Sequence, residues 1–550
     1  MPRHLKVLVV IFLLAAGLRF IGLNWDQNAH LHPDERFLTM VANSMRWPKT
    51  ILEYLDTSSS PLNPHNIGYD FYVYGTFPVI FVKFIAEFLG KGDYNQLTLV
   101  GRTLSALFDL GTLLLIYLIA QKIFKKPIIS LIAALCYAAS VLPIQLSHFF
   151  AVDPYLTFFL TLSFYLLLRN NPFLGIAFGL AIASKISAVL FAPVIALGFL
   201  FSRPKLLSLL LFIITLYFTV RLAQPYLFSG AFSLNPQVLA NWQQLKTFDI
   251  PGYFPPAYTW VGTYPYIFPL ENLLFWGLGL PLGTLSIVAI FYLCFTKPPP
   301  LIWLAIFWTG TLFLYQGAQF AKPLRYFYPI YPFLAIFAGA FINNLFKHFG
   351  LKKQLIILIP TIALIWPMSF ISIYLNSNTR VTATKWVYDN IPKGSRISCE
   401  HWDDCVPIGG SGPYQFIEFP MYNPDTSEKW SMMQGKLSQT DYLILSSNRI
   451  YGTTMNVPQT YPATNQFYKS LFNGSLGFTP VAQFTSRPNI PIPGLRLCLT
   501  PLGISYGQIA KSIQDCPQPG ISFVDDYADE TLTVYDHPKV IIFKKNTNSL

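Results

Sequence analysis

The sequence is poor in charge. Only 12% of its 550 residues are Asp, Glu, Lys or Arg, against 53% hydrophobic residues. An ordinary soluble enzyme carries about twice as much charge, so that class is excluded. Cysteine is scarce too, with six residues in all, and none has the paired spacing of a zinc site. The net charge of +12 is not gathered into an arginine-rich arm, which argues against a nucleic-acid partner. No glycine-rich dinucleotide loop and no Asp-x-Asp motif is present, so nothing announces a nucleotide-sugar substrate. The hydropathy pattern has no internal repeat of the kind that many transporters show.

What remains is long apolar runs, with a mean hydropathy of +0.43 and 16% aromatic residues. These are the marks of a polytopic α-helical membrane protein with many interface anchors. Residues 5–23 read as a first span. Arg3 and Lys6 before it put the N-terminus in the cytoplasm, because short basic loops stay inside. No small-x-small cleavage site precedes Asn24, so the span is retained. Residues 76–90 are apolar but short, and hold Lys83 and Glu87 at i,i+4; they read as an interfacial or re-entrant helix. Further spans follow at 101–120, 128–146, 154–168, 172–185, 186–201, 206–222, 271–296, 300–316, 328–345 and 354–374. The alternation gives about eleven transmembrane helices and a C-terminus outside the cell.

Two domains are expected: a membrane domain over 1–375, with a first external loop at 24–100, and a soluble extracytoplasmic α/β domain over 376–550. Helical and strand patterns alternate in the second, with extended stretches at Arg396 to Cys399, Tyr442 to Leu445 and Val540 to Phe543. Cys136 and Cys294 lie in spans. The other four cysteines fall outside, where 399–405 and 498–516 is the local pairing.

The chain is organised around His32-Pro33-Asp34-Glu35-Arg36-Phe37-Leu38, just past the first span. Pro33 suits the first turn of a helix, where its missing N–H costs nothing. Asp34 and Glu35 then sit at the positive end of the helix dipole. The two acids would stabilise a helix start in any protein, but a pair at the membrane exit also suggests chemistry. With the topology above, His148, Asp153, Lys185, Arg221, Lys322 and Arg325 all reach the same outer face. Ionisable residues at membrane depth are functional candidates, although basic ones also snorkel to head groups. An aromatic run from Tyr253 through Trp260 to Phe268 reads as an interfacial belt, or as a loop that stacks on sugar or lipid.

Four motifs together resemble the GT-C superfamily of polyprenyl-phosphate-dependent glycosyltransferases, in particular the protein O-mannosyltransferases and the lipid A aminoarabinose transferases. They are His32-Pro33-Asp34-Glu35-Arg36, Val152-Asp153-Pro154-Tyr155, Ala183-Ser184-Lys185, and Lys322-Pro323-Leu324-Arg325-Tyr326-Phe327-Tyr328. The likeness covers about residues 1–375. One departure is Tyr74-Gly75-Thr76-Phe77-Pro78, where the family often has a lysine for the donor phosphate. The resemblance implies a GT-C fold in the plasma (inner) membrane. It also implies a hexosyl- or mannosyltransferase-like enzyme that takes a sugar from a polyprenyl-phosphate donor to a hydroxyl of a protein, lipid or glycan acceptor. Asp34, Glu35 and Asp153 would be catalytic. Lys185, Arg221, Lys322 and Arg325 would hold the donor phosphate, and His148, Tyr326 and Trp260 would meet acceptor or sugar.

The chemistry follows without the family. Nucleotide sugars are cytoplasmic, so an outer-face transferase needs a donor that crosses the membrane. A phosphate leaves as a stable anion and needs no general acid, unlike the leaving group of a glycosidase. One carboxylate, Asp34, suffices as base, and displacement inverts the anomeric centre. No cofactor is required. If a metal takes part, Asp34, Glu35 and Asp153 would bind magnesium or manganese. The alternative from another class is a transporter or flippase for lipid-linked sugars.

Overall fold

The structure, a computed structural model, describes residues 2–296, 298–348, 362–501 and 514–546. The chain forms two compact units. The first comprises Met1–Leu23, Pro33–Lys246 and Tyr266–Pro367. The second comprises Asn24–His32, Thr247–Pro265 and Met368–Leu550.

The first unit is helical. Among the described residues, four helices are long and apolar enough to cross a membrane: Tyr94–Phe124, Leu206–Ala223, Pro300–Ala318 and Leu324–Phe346. A fifth span is broken. Pro127–Ala138 and Val141–Ser147 meet at 59°, and Pro143 in the second piece cannot donate the backbone bond that a straight helix would need. Asp153–Leu168, Leu174–Ser184, Ile186–Ser202 and Leu280–Phe295 are shorter apolar segments. The first helix, Arg3–Phe20, carries Arg19 in its last turn. Thr76–Phe88 is the short segment with the Lys83–Glu87 pair, at 2.6 Å. Residues 354–361 of the expected last span, 354–374, lie outside the described residues; Ile365–Phe370 and Ser372–Leu375 in its second half are helical.

Small residues let these helices approach. A Cβ on Gly175 would lie 2.2 Å from the Thr215 hydroxyl, and one on Gly179 would lie 2.8 Å from Thr219 Cβ. These two glycines, four apart, seat Leu174–Ser184 directly on Leu206–Ala223.

The second unit is α/β. Its main sheet uses β1 (Arg396–Glu400), β2 (Gln415–Phe419), β3 (Tyr442–Leu445), β4 (Phe478–Phe484) and β8 (Val540–Lys545), in the order β2-β1-β3-β8-β4. β1 runs parallel to β2 and β3, and β8 runs antiparallel to β3 and β4. A smaller sheet orders β5 (Asn489–Ile490), β7 (Gly520–Phe523) and β6 (Arg496–Leu499). Alternate residues of β3 serve two cores. Leu443 and Leu445 join Phe467 and Tyr468 on one face, and Tyr442 and Ile444 join Val387 and Ile397 on the other. A strand buried on both faces reads as the unbroken apolar run seen at 442–445. Disulfides join Cys399 to Cys405 and Cys498 to Cys516.

Candidate functional site

Pro33 opens the helix Pro33–Ser44 and puts Asp34 and Glu35 in its first turn. Successive residues on a helix point about 100° apart, and the two acids take different environments. Glu35 turns inward and is fully buried. Arg102, from the helix Tyr94–Phe124, donates to its two oxygens at 2.9 and 2.5 Å. The Phe150 backbone N–H donates to it at 2.7 Å. Asp34 is about a quarter exposed, and Arg325 is bound to it. Tyr74 hydrogen-bonds to Asp34 as well; burial, and then that carboxylate, push its phenol well above the usual range.

Asp153 begins the helix Asp153–Leu168 and accepts from Lys185 Nζ at 2.8 Å. The two ion pairs share one ring. Lys185 Nζ lies 4.5 Å from the centroid of Tyr326, and the Arg325 guanidinium lies 5.7 Å from it. Asp153 is also within electrostatic reach of Arg325. Among the described residues, Arg325 Nε is buried without a hydrogen-bond partner. The arrangement is therefore two acids, two cations and one aromatic platform, with an N–H unspent.

Lys185 is placed by the segment that departs from the family motif. Lys185 is extended, at the break between Leu174–Ser184 and the 3-10 turn Ile186–Phe191. Gly75 donates its N–H to the Ser184 carbonyl at 3.1 Å. A Cβ on Gly75 would fall 1.9 Å from the Ala183 carbonyl, so only glycine fits. Tyr74 and Gly75 thus tie Asp34 to the backbone that carries Lys185.

Three other expected residues, His148, Lys322 and Arg221, face backbone carbonyls. Both ring nitrogens of buried His148 face backbone carbonyls, of Ile144 at 2.8 Å and Ile21 at 2.9 Å. Lys322 is buried and donates to the Phe320 carbonyl at 3.2 Å. Arg221 donates to the Pro225 carbonyl at 3.3 Å and covers the Phe228 ring at 4.9 Å. Trp260 belongs to the second unit, at the end of the turn Pro255–Trp260.

Two groups were missed from sequence. Arg102 is one. The other is a sealed cluster in which Asp109 binds Arg19, Tyr137 and Tyr328. Arg19 and Asp109 are both fully buried. Arg102 and Asp109 stand seven apart on one helix, hence on one face. Ionisable residues at that spacing inside an apolar run are the signal that would have found them.

As a metal site, the three acids are poorly arranged. Each has its own cation: Arg325 for Asp34, Arg102 for Glu35 and Lys185 for Asp153. Glu35 has both oxygens engaged. Among the described residues no group of three or more metal-ligating side chains converges.

The sequence profile of the family described as dolichyl-phosphate-mannose-protein mannosyltransferase matches residues 92–229. Among solved structures, the archaeal oligosaccharyltransferase AglB from Archaeoglobus fulgidus, in complex with an inhibitory peptide and a dolichol-phosphate, is similar with a TM-score of 0.52 and 13% identity. The alignment covers 84% of this chain and 72% of that one. An Archaeoglobus fulgidus oligosaccharyltransferase in complex with Zn and sulfate gives 0.50 at 15% identity, covering 84% and 71%. ArnT from Cupriavidus metallidurans bound to undecaprenyl phosphate gives 0.45 at 17%, covering 69% of each chain. No curated protein sequence matches. The profile match covers a quarter of the chain and two of the four motifs, Val152-Asp153-Pro154-Tyr155 and Ala183-Ser184-Lys185, and the archaeal oligosaccharyltransferase shares the fold.

Proposed function

We propose that this chain is a multi-pass membrane glycosyltransferase with Asp34 as its catalytic base. It moves a sugar from a polyprenyl-phosphate donor to an acceptor hydroxyl of a protein, lipid or glycan on the extracytoplasmic face. The observation that carries this reading is the pairing of Asp34 with Arg325 beside Asp153–Lys185, around one tyrosine ring and with Arg325 Nε unspent.

The helix N-terminus and Arg325 both favour the carboxylate form of Asp34, as a base requires. Asp34 takes the proton from the acceptor hydroxyl as that oxygen attacks the anomeric carbon. The bond from that carbon to the phosphate oxygen breaks on the opposite face, and the configuration inverts. The electron pair leaves on the phosphate. Lys185 and Arg325 stabilise it, because a cation fixed beside developing negative charge needs no reorganisation during the step. Arg325 has Nε to give the phosphate while another nitrogen stays on Asp34, a two-point role that its planar fork suits. Asp153 orients Lys185. Glu35 is a positioning residue: with Arg102 it ties the acidic turn to the helix Tyr94–Phe124 and to Phe150. The step needs no metal, and the acid–cation pairing leaves no shared oxygen set for one.

The dolichyl-phosphate-mannose description of the matching family and the dolichol-phosphate in AglB support a lipid phosphate as the donor carrier. The outer-face placement rests on the basic loops. Disulfides Cys399–Cys405 and Cys498–Cys516 support an oxidising compartment for the second unit. About eleven spans, with the N-terminus inside and residues 376–550 outside, is the topology that satisfies both. Sugar transfer from a synthetic polyprenyl-phosphate donor by the detergent-purified protein tests the reading. Cysteine labelling at positions 125 and 377 tests the topology, and equal labelling of both from outside would contradict it.

A further inference from the structure

The second unit leaves one apolar stretch uncovered. Pro491 to Thr500 are all exposed, a run of ten residues in which Arg496 is the one charge. Ile492, Leu495, Leu497 and Leu499 are each between 37% and 44% exposed. Leu495, Leu497 and Leu499 alternate along the chain into β6 and so share one face of it, with Arg496 on the other. β6 ends the small sheet and pairs, among the described residues, with β7 alone. An apolar edge strand left in water invites aggregation, so proteins cover such a surface.

The stretch is tethered at the end of the expected last span, 354–374. Ser372 opens the helix Ser372–Leu375 there. Its hydroxyl accepts from the Asn489 N–H at 3.0 Å and donates to the Arg487 carbonyl at 3.5 Å. Met368 and Leu375, on either side of Ser372, are 51% and 68% exposed, apolar positions that a bilayer would cover. Asn489 then holds the small sheet to this point. Its Nδ2 donates to the Pro519 carbonyl at 3.1 Å, and its Oδ1 accepts from the Ser522 hydroxyl of β7 at 3.0 Å. Neighbouring strands lie about 4.8 Å apart, so β6, two strands over, runs about 10 Å from the strand bonded to Ser372.

We infer that Ile492–Leu499 is a further membrane contact of this chain, seated in the head-group layer of the outer leaflet, with its leucines toward the acyl chains and Arg496 at the lipid phosphates. The inference rests on the proposed topology, in which residues 376–550 follow the last span on the outer face. It adds that this unit lies on the lipid from which it emerges. The backbone limits the depth. β6 has an unpaired edge among the described residues, and unpaired N–H and C=O groups are not tolerated in hydrocarbon, whereas head groups and their water supply partners. Pro491 and Pro493 carry no N–H, so the approach to β6 has fewer donors to satisfy. An arginine at that level keeps its methylenes in lipid and its guanidinium on phosphate. A protein partner would also cover the leucines, but it gives no reason for the tether at the end of a span.

The test uses the full-length protein in phosphatidylcholine nanodiscs that carry a photoactivatable lipid, with its diazirine either near the glycerol or at the end of an acyl chain. Adducts are mapped by mass spectrometry. The glycerol-level probe is expected to label Met368 and residues 491–499. The chain-end probe is expected to label Ile213 and Ile214, exposed midway along Leu206–Ala223, and to leave 491–499 unlabelled. Replacing Leu495, Leu497 and Leu499 together by serine should remove most of the label from the stretch. Arg496→Glu should lower it more in phosphatidylglycerol discs than in phosphatidylcholine discs. An intact Cys498–Cys516 disulfide and an unchanged thermal melt show that each variant is folded. Label on Met368 with none on 491–499 would overturn the contact and leave the topology standing. Label present in discs holding one copy but absent from discs holding two would make the stretch an interface between copies, and would also overturn the lipid assignment. No label on Met368 or on the stretch would overturn both.

Discussion

The first unit contains two clusters of the same residue types in opposite conditions. Around Asp109, an arginine and two tyrosines surround a carboxylate that is fully buried. Around Asp34, an arginine and a tyrosine again surround a carboxylate, but about a quarter of its side chain and of Arg325's is exposed. A sealed ion pair has no route to a substrate, and breaking it leaves a bare charge in low dielectric. A half-open pair exchanges partners at less cost. On the proposed function, the difference separates charges that hold helices together from charges that act, which composition and hydropathy alone do not do.

The largest effects are expected where the two clusters are set against each other. Asp34→Asn should lower transfer by about 10²–10⁴ with little change in thermal unfolding. Asp109→Asn should do the reverse, with about 3–5 kcal/mol of stability lost because Arg19 is left uncompensated. If Asp109→Asn folds normally and only activity falls, the division between the clusters is wrong.

Glu35 sharpens the comparison, because it neighbours Asp34 in sequence but belongs with Asp109 in environment. Glu35→Gln should reduce stability more than the chemical step. Pairing it with Arg102→Gln should recover part of the loss, as a double-mutant cycle on thermal unfolding would show. An additive result would mean that the Glu35–Arg102 contact carries no coupling.

Lys185→Ala and Arg325→Ala should each weaken donor binding, by about tenfold or more for a charge-assisted contact of about 1.5–3 kcal/mol. Arg221→Ala should change it less, since Arg221 is engaged by the Pro225 carbonyl and Phe228. Titration with polyprenyl phosphate ranks the three.

The smallest effect concerns a buried acid with no cation paired to it among the described residues. Glu400 in the second unit is bound by Tyr468 on one oxygen, and its other oxygen has no partner among the described residues. Burial pushes its pKa up to about 8, with the Tyr468 bond opposing and Asp403 adding to the rise. The folded form therefore holds a proton that the unfolded chain releases near pH 4.5. The contribution is full below that pH and is lost as pH rises toward about 8. Glu400→Gln should flatten the fall in stability between those values in a pH series of thermal melts. An unchanged slope would count against the shift.

Much of this was readable from the sequence. Pro33 before two acids fixed the first helical turn, and unbroken apolar runs marked β3 and β8. The cysteines paired locally as their spacing suggested. The split between Asp34 and Glu35 was not readable, because their partners lie far along the chain: Arg102 is 67 residues from Glu35 and Arg325 is 291 from Asp34. Tyr74 and Gly75 looked like a missing motif, since a glycine's role in close approach shows only once the opposing backbone is in place. Arg221 was grouped with the acids by its expected side of the membrane, and sidedness does not fix which partners a side chain meets.

The most direct test of the central claim is sugar transfer from a polyprenyl-phosphate donor, run with the purified protein and its Asp34→Asn variant, each with and without a chelator. A parallel liposome assay would follow donor movement. The account predicts glycoside formation by the unaltered protein that survives chelation, and a loss of about 10²–10⁴ in the variant. Full transferase activity in Asp34→Asn would exclude Asp34 as the base. Abolition by chelator would move the acids into a metal-binding role, and donor crossing liposomes with no glycoside formed would make the protein a transporter.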